Sequence, residues 1–499
     1  MRKVIENQMK LGEIDISQIE FDLRSRDEIP KLLMGLQAVY CNIEVRNRIF
    51  ALLEEKILKG KKNTGRNGMD LWKILVLGTI RLNCNWDFDK LKEIADNHLT
   101  LREMLGHARW LDETKYPLQT LKDNVSLFSV EVLNAVNDEV VKLGHNLFKK
   151  KDSSLNARCD SFVVETNVYY PTDIRLLFDA VRKSVELISC IAEKMDITGW
   201  RQSNYHIKQL KNFMRKYQNL KHSTSKDKEK IEARETAVKA ICNNCLTQAE
   251  KLIARVQIDI ETVRKNTIIP DAVKAKIDDA ERFIKHAERQ IKQVRERVIN
   301  GNKIPHDEKV FSIFEEHTEW ISKGKAGVPQ ELGLKVCVLQ DQFGFILNHR
   351  VMQHESDSDI VVEFVKATKE KFPALKSGSF DKGFHSKENY IELSKIIEHV
   401  YMPKKGKLTA EENEREHSKE FVKFRKAHSA VESDINALEN HGLDRCPDKG
   451  EKGFKRYCAF AVLSRNLQIL GDKTQKKKIE YIKRSEAIKA GLAKSKSAA

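Results

Sequence analysis

Residues 157–166, ARCDSFVVET, decide the fold. The stretch is short and rich in β-branched side chains, and the turn residues NVYYPTD (167–173) close it off, so it reads as a β-strand. It also places a carboxylate, Asp160, on an otherwise apolar strand. A helix follows from near Asp173 through IRLLFDAVRKSVELI. Strand signals return only at 334. LKVCVLQ and FGFILNHRVM flank a tight turn around Asp341 and Gly344, the pattern of a β-hairpin. Helix SDIVVEFVKATKEKF, strand SGSFDKGF, helix SKENYIELSKII and strand EHVYMPK come next, and 409–440 is helical again.

The segment between the first strand and this hairpin is helical over 180–300, with sharp periodicity. Val238, Cys242, Cys245, Ala249, Leu252, Val256 and Ile260 recur in steps of three and four. After Pro270, Val273, Ile277, Ala280, Ile284, Ala287, Ile291, Val294 and Val298 do the same. Such steps make one apolar seam per helix, and Pro270 suits a helix start. The expected object is a long antiparallel helical hairpin, either a brace on the rest of the protein or, as the resemblance given below implies, an arm for DNA ends or a partner chain. With this excursion removed, the element order is a β-meander followed by alternating helices and strands. The fold class expected is therefore α+β or α/β: an RNase H-like mixed sheet interrupted by a helical hairpin and preceded by an all-helical region.

In that region, MDLWKILVLGTIRL, NWDFDKLKEIADNH and LTLREMLG are three short apolar-periodic runs. Asp87 or Asn85 is positioned to cap the second and Thr100 the third. The pattern fits a helix-turn-helix-like DNA-binding unit and fits a plain helical bundle equally. The expected organisation is 1–150, helical and DNA-binding; 151–178, first part of the catalytic core; 179–303, hairpin insertion; 304–471, remainder of the core; and 472–499, a basic tail with nine Lys or Arg against three acidic residues.

The 499-residue chain carries 89 Lys+Arg against 73 Asp+Glu, a formal charge of +16. That surplus favours a polyanion, because neutralising phosphates releases counterions. Nine scattered cysteines are not a disulfide scaffold and point to a reducing compartment. MRKVIENQMKLGEID has no apolar signal core, and no apolar run is long enough to span a membrane. The setting these features lead one to expect is cytoplasmic, and the resemblance described below implies a bacterial, nucleoid-associated protein.

Three carboxylates stand out: Asp160 on the first strand, Asp381 at the end of SGSFD, where Gly383 lets the backbone open, and Glu432 on the helix AHSAVESDINALE. Two neighbouring strands and a helix would bring them to one edge of the sheet. Carboxylate oxygens suit Mg²⁺, and two ions about 4 Å apart can drive in-line attack on a phosphodiester. Spacing alone leaves rivals: Glu165 on the other face of the same strand, and Glu439 two turns beyond Glu432.

The phrases DSFVVETNVYYPTD, FDKGF, AHSAVESDINALENHGLDR and VLSRNLQILG resemble the DDE transposases of bacterial insertion sequences, above all the ISNCY branch in the neighbourhood of the IS4-like and IS5-like groups. RNGMDLWKILVLGTIRLNCNWDFDKLKEIADNHLTLREMLG resembles their helical N-terminal domain. The resemblance implies that Asp160, Asp381 and Glu432 are the catalytic triad and metal ligands. It implies two Mg²⁺ or Mn²⁺ ions, nicking at terminal inverted repeats, transfer of 3′ ends into target DNA, and a homodimer or higher assembly on double-stranded DNA. Two features depart from the family. The interval from Asp160 to Asp381 is far longer than an uninterrupted core needs, and Glu439 stands where relatives place a lysine. Phosphate contact would then pass to Arg425, Lys426, His428 or Arg445, joined by Arg81 and by Lys323 and Lys325 of the KGKAG segment, which lacks the form of a P-loop. Arg425, His428 and Glu432 share a helical face. An RNase H-like nuclease or resolvase, or an inactive transposase-derived DNA-binding protein, would carry the same core. Cys242 and Cys245 form a CxxC with no second pair, and they lie on the apolar seam, so core packing is the reading rather than zinc. Trp86 and Trp110 are also read as core.

Overall fold

A computed structural model describes the chain except at residues 1, 7, 61–66, 111, 150–152, 223–226, 266–267, 307, 323–328 and 498–499, with no side chains described from 490 onward. The chain divides into two units. One comprises Met1–Asn167 with Ile321–Ala499, and the other is Val168–Trp320. The second is wider than the 179–303 expected for the insertion.

The N-terminal region is helical: α1 (Glu28–Cys41), α2 (Ile43–Leu53), α3 (Leu71–Asn83), α4 (Phe88–Asn97), α5 (Leu99–Met104), α6 (Leu118–Val125) and α7 (Val130–Phe148). Apolar side chains lie all round α3, and it is buried from end to end apart from Lys73. A helix of that kind needs cover on every side. It cannot lie in a DNA groove, so for α3 the bundle reading is the one observed. Asp87 caps α4, accepting from the Lys90 N–H at 2.7 Å, while Asn85 takes a positive φ in the preceding turn. His98, not Thr100, caps α5: its Nδ1 accepts from the Leu101 N–H at 3.2 Å.

Strand β1 (Leu155–Thr166) ends the first segment. The second unit then holds α8 (Asp173–Lys194), α9 (Ser203–Lys221), α10 (Lys228–Arg264) and α11 (Asp271–Val294). The expected seams are buried, Cys242 and Cys245 among them, and Val298 packs at the margin. The object is nevertheless not a two-helix hairpin. α8 packs along α11 and α9 along α10, and all four share one core. The apolar face of α8, including Leu177, Val181, Ile188 and Ile191, requires this cover.

The chain returns through β2 (Glu319–Ser322), β3 (Gln330–Asp341) and β4 (Ile346–Val351). It continues through α12 (Asp357–Lys371), β5 (Leu375–Phe380), α13 (Lys387–Ile396), β6 (His399–Tyr401), α14 (Ala410–His417), α15 (Lys419–Leu438), β7 (Arg445–Cys446) and α16 (Gly450–Ser497). The fold is mixed α/β. The seven strands form one mixed sheet ordered β2-β3-β1-β5-β6, with β4 on β3 and β7 on β1. β1 pairs antiparallel with β3 and parallel with β5. The turn between β3 and β4 is held by the Asp341 carboxylate, which accepts from the backbone N–H groups of Phe343 and Phe345 at 2.8 and 2.9 Å.

α16 packs on α1, α3 and α7 as well as on β4, so the N-terminal helices and the sheet share one core. The expected basic tail continues this helix as far as Ser497. α1 and α16 cross at Gly35 and Gly471, where a Cβ on either would run into backbone of the other helix. Close-packed interiors do not absorb such a group. Gly471→Ala should destabilise unit 1 by roughly 2 kcal/mol or more in chemical denaturation. Gly453→Ala, where a Cβ meets only ordinary contacts, should be neutral or stabilising by up to about 1 kcal/mol. Equal effects at both positions would show that the crossing is not close.

Candidate active site

Pleating alternates side chains across a sheet, so Arg158 and Asp160 share one face of β1. Parallel pairing sets Arg158 opposite Ser379 and Cys159 opposite Phe380. Asp381, the next residue, therefore falls beside Asp160, one strand spacing of about 4.8 Å away. At Asp381 the chain leaves β5 for a 3₁₀ turn, Lys382–Phe384, and the exposed Asp381 carboxylate makes no capping hydrogen bond.

α15 brings the third carboxylate. The helix crosses the sheet, and side chains pin it at three points. Near its start the Phe424 ring stacks on Tyr401 of β6 at 4.1 Å between centroids. One turn later His428 Nδ1 shares a 3.0 Å hydrogen bond with Ser379 Oγ of β5. Beyond that, Asp434 accepts from Gln340 of β3 and from Arg465 of α16, the latter at 2.8 Å. Glu432 lies between the β5 and β3 anchors, over β1, and its side chain is exposed while Val431 and Ile435 point into the core.

The electrostatics record the convergence. Burial pushes the Asp160 carboxyl up, to about 6 in all. The Ser161 backbone N–H, donating at 2.7 Å, opposes this, and Asp381, Asp357 and Glu432 add to the rise. Burial lowers the pKa of His428, as does Arg158, against the pull of Asp381 and Glu432. Its Nε2 is buried and has no hydrogen-bond partner among the described residues.

Asp160 thus lies near enough to Asp381 and Glu432 to feel both charges. The rivals lie elsewhere. Glu165 is on the opposite face, about 17 Å further along β1, and holds Arg445 at 2.6 Å. Glu439 begins the turn after α15, about 10 Å beyond Glu432.

The basic residues divide differently from expectation. Arg425 and Lys426 are exposed on α15. His428 faces the sheet, and Arg445 is paired away from the carboxylates. Arg81 is buried: its guanidinium binds Asp448 at 2.9 Å and sits 3.9 Å from the centroid of the Phe88 ring, closed to any phosphate. Lys323 and Lys325 lie outside the described residues. Trp86 packs against the core as expected, whereas Trp110 is exposed. Burial pushes the Cys242 and Cys245 thiols up to about 11 and about 12, so both stay protonated.

Sequence reasoning missed Arg158, Lys382 and Asp357. Asp357 opens α12 and accepts from Lys335 Nζ at 3.1 Å, while its other oxygen is buried without a partner among the described residues. No signal in SDSD separates it from an ordinary helix-start acid. Among the described residues no three His, Cys, Asp or Glu side chains are arranged to hold a metal ion. Comparison of the chain with protein-family models, curated proteins and solved structures finds no match.

An acid whose pKa is raised on folding stabilises the folded state relative to higher pH. Its contribution is intact below about pH 4 and is lost as pH rises through about 6. Asp160→Asn removes that loss. Without divalent metal, it should raise stability at pH 7.5 by about 1–2 kcal/mol and flatten the fall in melting temperature between pH 4 and 7. A variant less stable than the wild type at pH 7.5 would mean that burial does not penalise the charged Asp160 carboxyl.

Proposed function

We propose that this protein is a DDE-type DNA transposase. It would bind the terminal inverted repeats of an insertion sequence, cleave phosphodiester bonds there and join the 3′ ends to target DNA. One observation carries the reading. The parallel pairing of β1 with β5 and the packing of α15 on both strands put the elements that carry the three motif residues side by side in a mixed sheet. The net charge of +16 supports a DNA partner.

The donor set fits hard divalent cations, since every candidate ligand is a carboxylate oxygen. Burial, with the smaller push of Asp381, Asp357 and Glu432, disfavours the charged Asp160 carboxylate, and a bound cation would offset both. Asp160, Asp381 and Glu432 would hold two Mg²⁺ or Mn²⁺ ions. When bound, these supply the activation of a water or 3′ hydroxyl and the stabilisation of the leaving oxygen. The chain's own residues do the rest. Arg425, Lys426 and Lys382 are exposed cations near the carboxylates that can hold the flanking phosphates. The Ser379–His428 contact fixes the rotation of α15 and so aims Glu432. A neutral His428 does not compete with the metal for the carboxylates. Element ends must be held in pairs, so the working form would be a dimer or larger assembly in the cytoplasm. Among the described residues no helix is long and apolar enough to cross a membrane.

The test is a cleavage and joining assay with a 3′-labelled duplex taken from the DNA flanking the gene, a supercoiled target plasmid and Mg²⁺. Wild type should cut and join. Asp160→Asn, Asp381→Asn and Glu432→Gln should each lose at least about a thousand-fold in rate, about 4 kcal/mol, and still bind the duplex within threefold of wild type. Cutting without joining would favour the nuclease reading. Asp160→Asn cutting at the wild-type rate would refute the site.

A further inference from the structure

The second unit carries an unbalanced helix. α9 contains five Lys or Arg and no Asp or Glu. Leu210 and Met214 are buried in the four-helix core, with Ile207 and Phe213 packed at its margin. Lys208, Lys211, Arg215 and Lys216 are exposed on the other side, and among the described residues none has a carboxylate partner. At about 100° per residue, Lys208, Lys211 and Arg215 fall within about 60° of arc, and the exposed His222 at the C-cap extends the same line. The stripe is about 21 Å long, roughly the axial rise of six base pairs.

The neighbouring helices show what an ordinary solvated face looks like in this unit. Lys274 pairs with Asp271 at 3.0 Å, Arg282 with Asp279 at 3.4 Å, Arg264 with Glu281 at 2.7 Å and Arg295 with Glu250 at 2.5 Å. α10 and α11 thus neutralise themselves. In α9 like charges stand at i, i+3 and i+4 spacing with nothing between them, an arrangement that weakens a helix by itself. A polyanion laid along the stripe removes that cost and releases counterions. Exposed Asn204, Asn212 and Asn219 add uncharged donors suited to phosphate and sugar oxygens. An acidic protein surface would need no such regular stripe.

We propose that the outer face of α9 is a docking surface for the sugar–phosphate backbone of duplex DNA, binding without regard to base sequence. The inference rests on the DNA-processing reading above and adds a second DNA contact, made by the helical insertion itself. The test uses the full-length protein and a labelled 30-base-pair duplex of mixed sequence, with affinity measured between 50 and 300 mM KCl. Neutralising Lys208, Lys211, Arg215 and Lys216 to Gln should lower affinity at least tenfold near 150 mM. It should also make the slope of log affinity against log salt less negative by about 2–4. Lys274→Gln with Lys276→Gln on α11 should shift the slope by less than about 0.5. In wild type, lysine acetylation footprinting should show Lys208 and Lys211 protected by the duplex, a readout independent of whether the variant folds.

An unchanged slope in a folded variant would overturn the inference, as would lysines that acetylate equally with and without DNA. So would protection by single-stranded RNA but not by the duplex. If wild type still cuts and joins DNA under those outcomes, the transposase reading stands without this surface. If wild type neither binds nor cuts the duplex, both fall.

Discussion

β1 is hydrogen-bonded on both edges, to β3 running against it and to β5 running with it, and unit 1 depends on that strand. The antiparallel edge sets which residues of β1 face which layer of helices. The parallel edge sets what stands beside Asp160. A slip of one residue against β5 would turn the face over and replace Asp381 by Phe380 or Lys382 as the neighbour of Asp160. The apolar residues Cys159, Phe162 and Val164 resist such a slip because all are buried. Burial of these side chains favours keeping β1 inside the sheet, and Asp160 stays there although burial penalises its charge.

Helix α15 exploits that frame. Its hold is distributed over an aromatic stack on β6, a hydroxyl–imidazole bond on β5 and an amide–carboxylate bond on β3. No one of these needs to be strong, because three separated contacts determine both the direction of the helix and its rotation. Glu432 inherits its place from neighbours that have no part in chemistry, and a shift at Ser379 or Gln340 would be felt there. The insertion between β1 and β3 is compatible with this precision because loop closure costs grow only slowly with length, and because the inserted unit buries its own core.

Much of this was legible in sequence. The strand character of 157–166, the hairpin around Asp341 and Gly344, and the seams of α10 and α11 all follow from local periodicity, which is where sequence reasoning is strongest. The proximity of Asp160 and Asp381 followed once the strands were taken as neighbours. What escaped depended on partners far away in the chain. Arg81 reads as a surface cation until Asp448, 367 positions on, is found to bury it. α3 reads equally as part of a DNA-binding unit or of a plain bundle until α16 is found to cover it. The hairpin became a four-helix unit because the apolar face of α8 has to be buried somewhere. Asp357 escaped because acids at helix starts are common for reasons of capping and dipole alone.

Mn²⁺ uptake, followed through the loss of the free-ion resonance at pH 8 in the presence of a short duplex, tests the carboxylate site most directly. The account predicts that wild type takes up two ions per chain. Asp160→Asn and Glu432→Gln should each weaken binding at least tenfold, and Glu165→Gln and Glu439→Gln should bind as wild type does. Wild-type uptake by Glu432→Gln, together with loss in Glu439→Gln or Glu165→Gln, would contradict it.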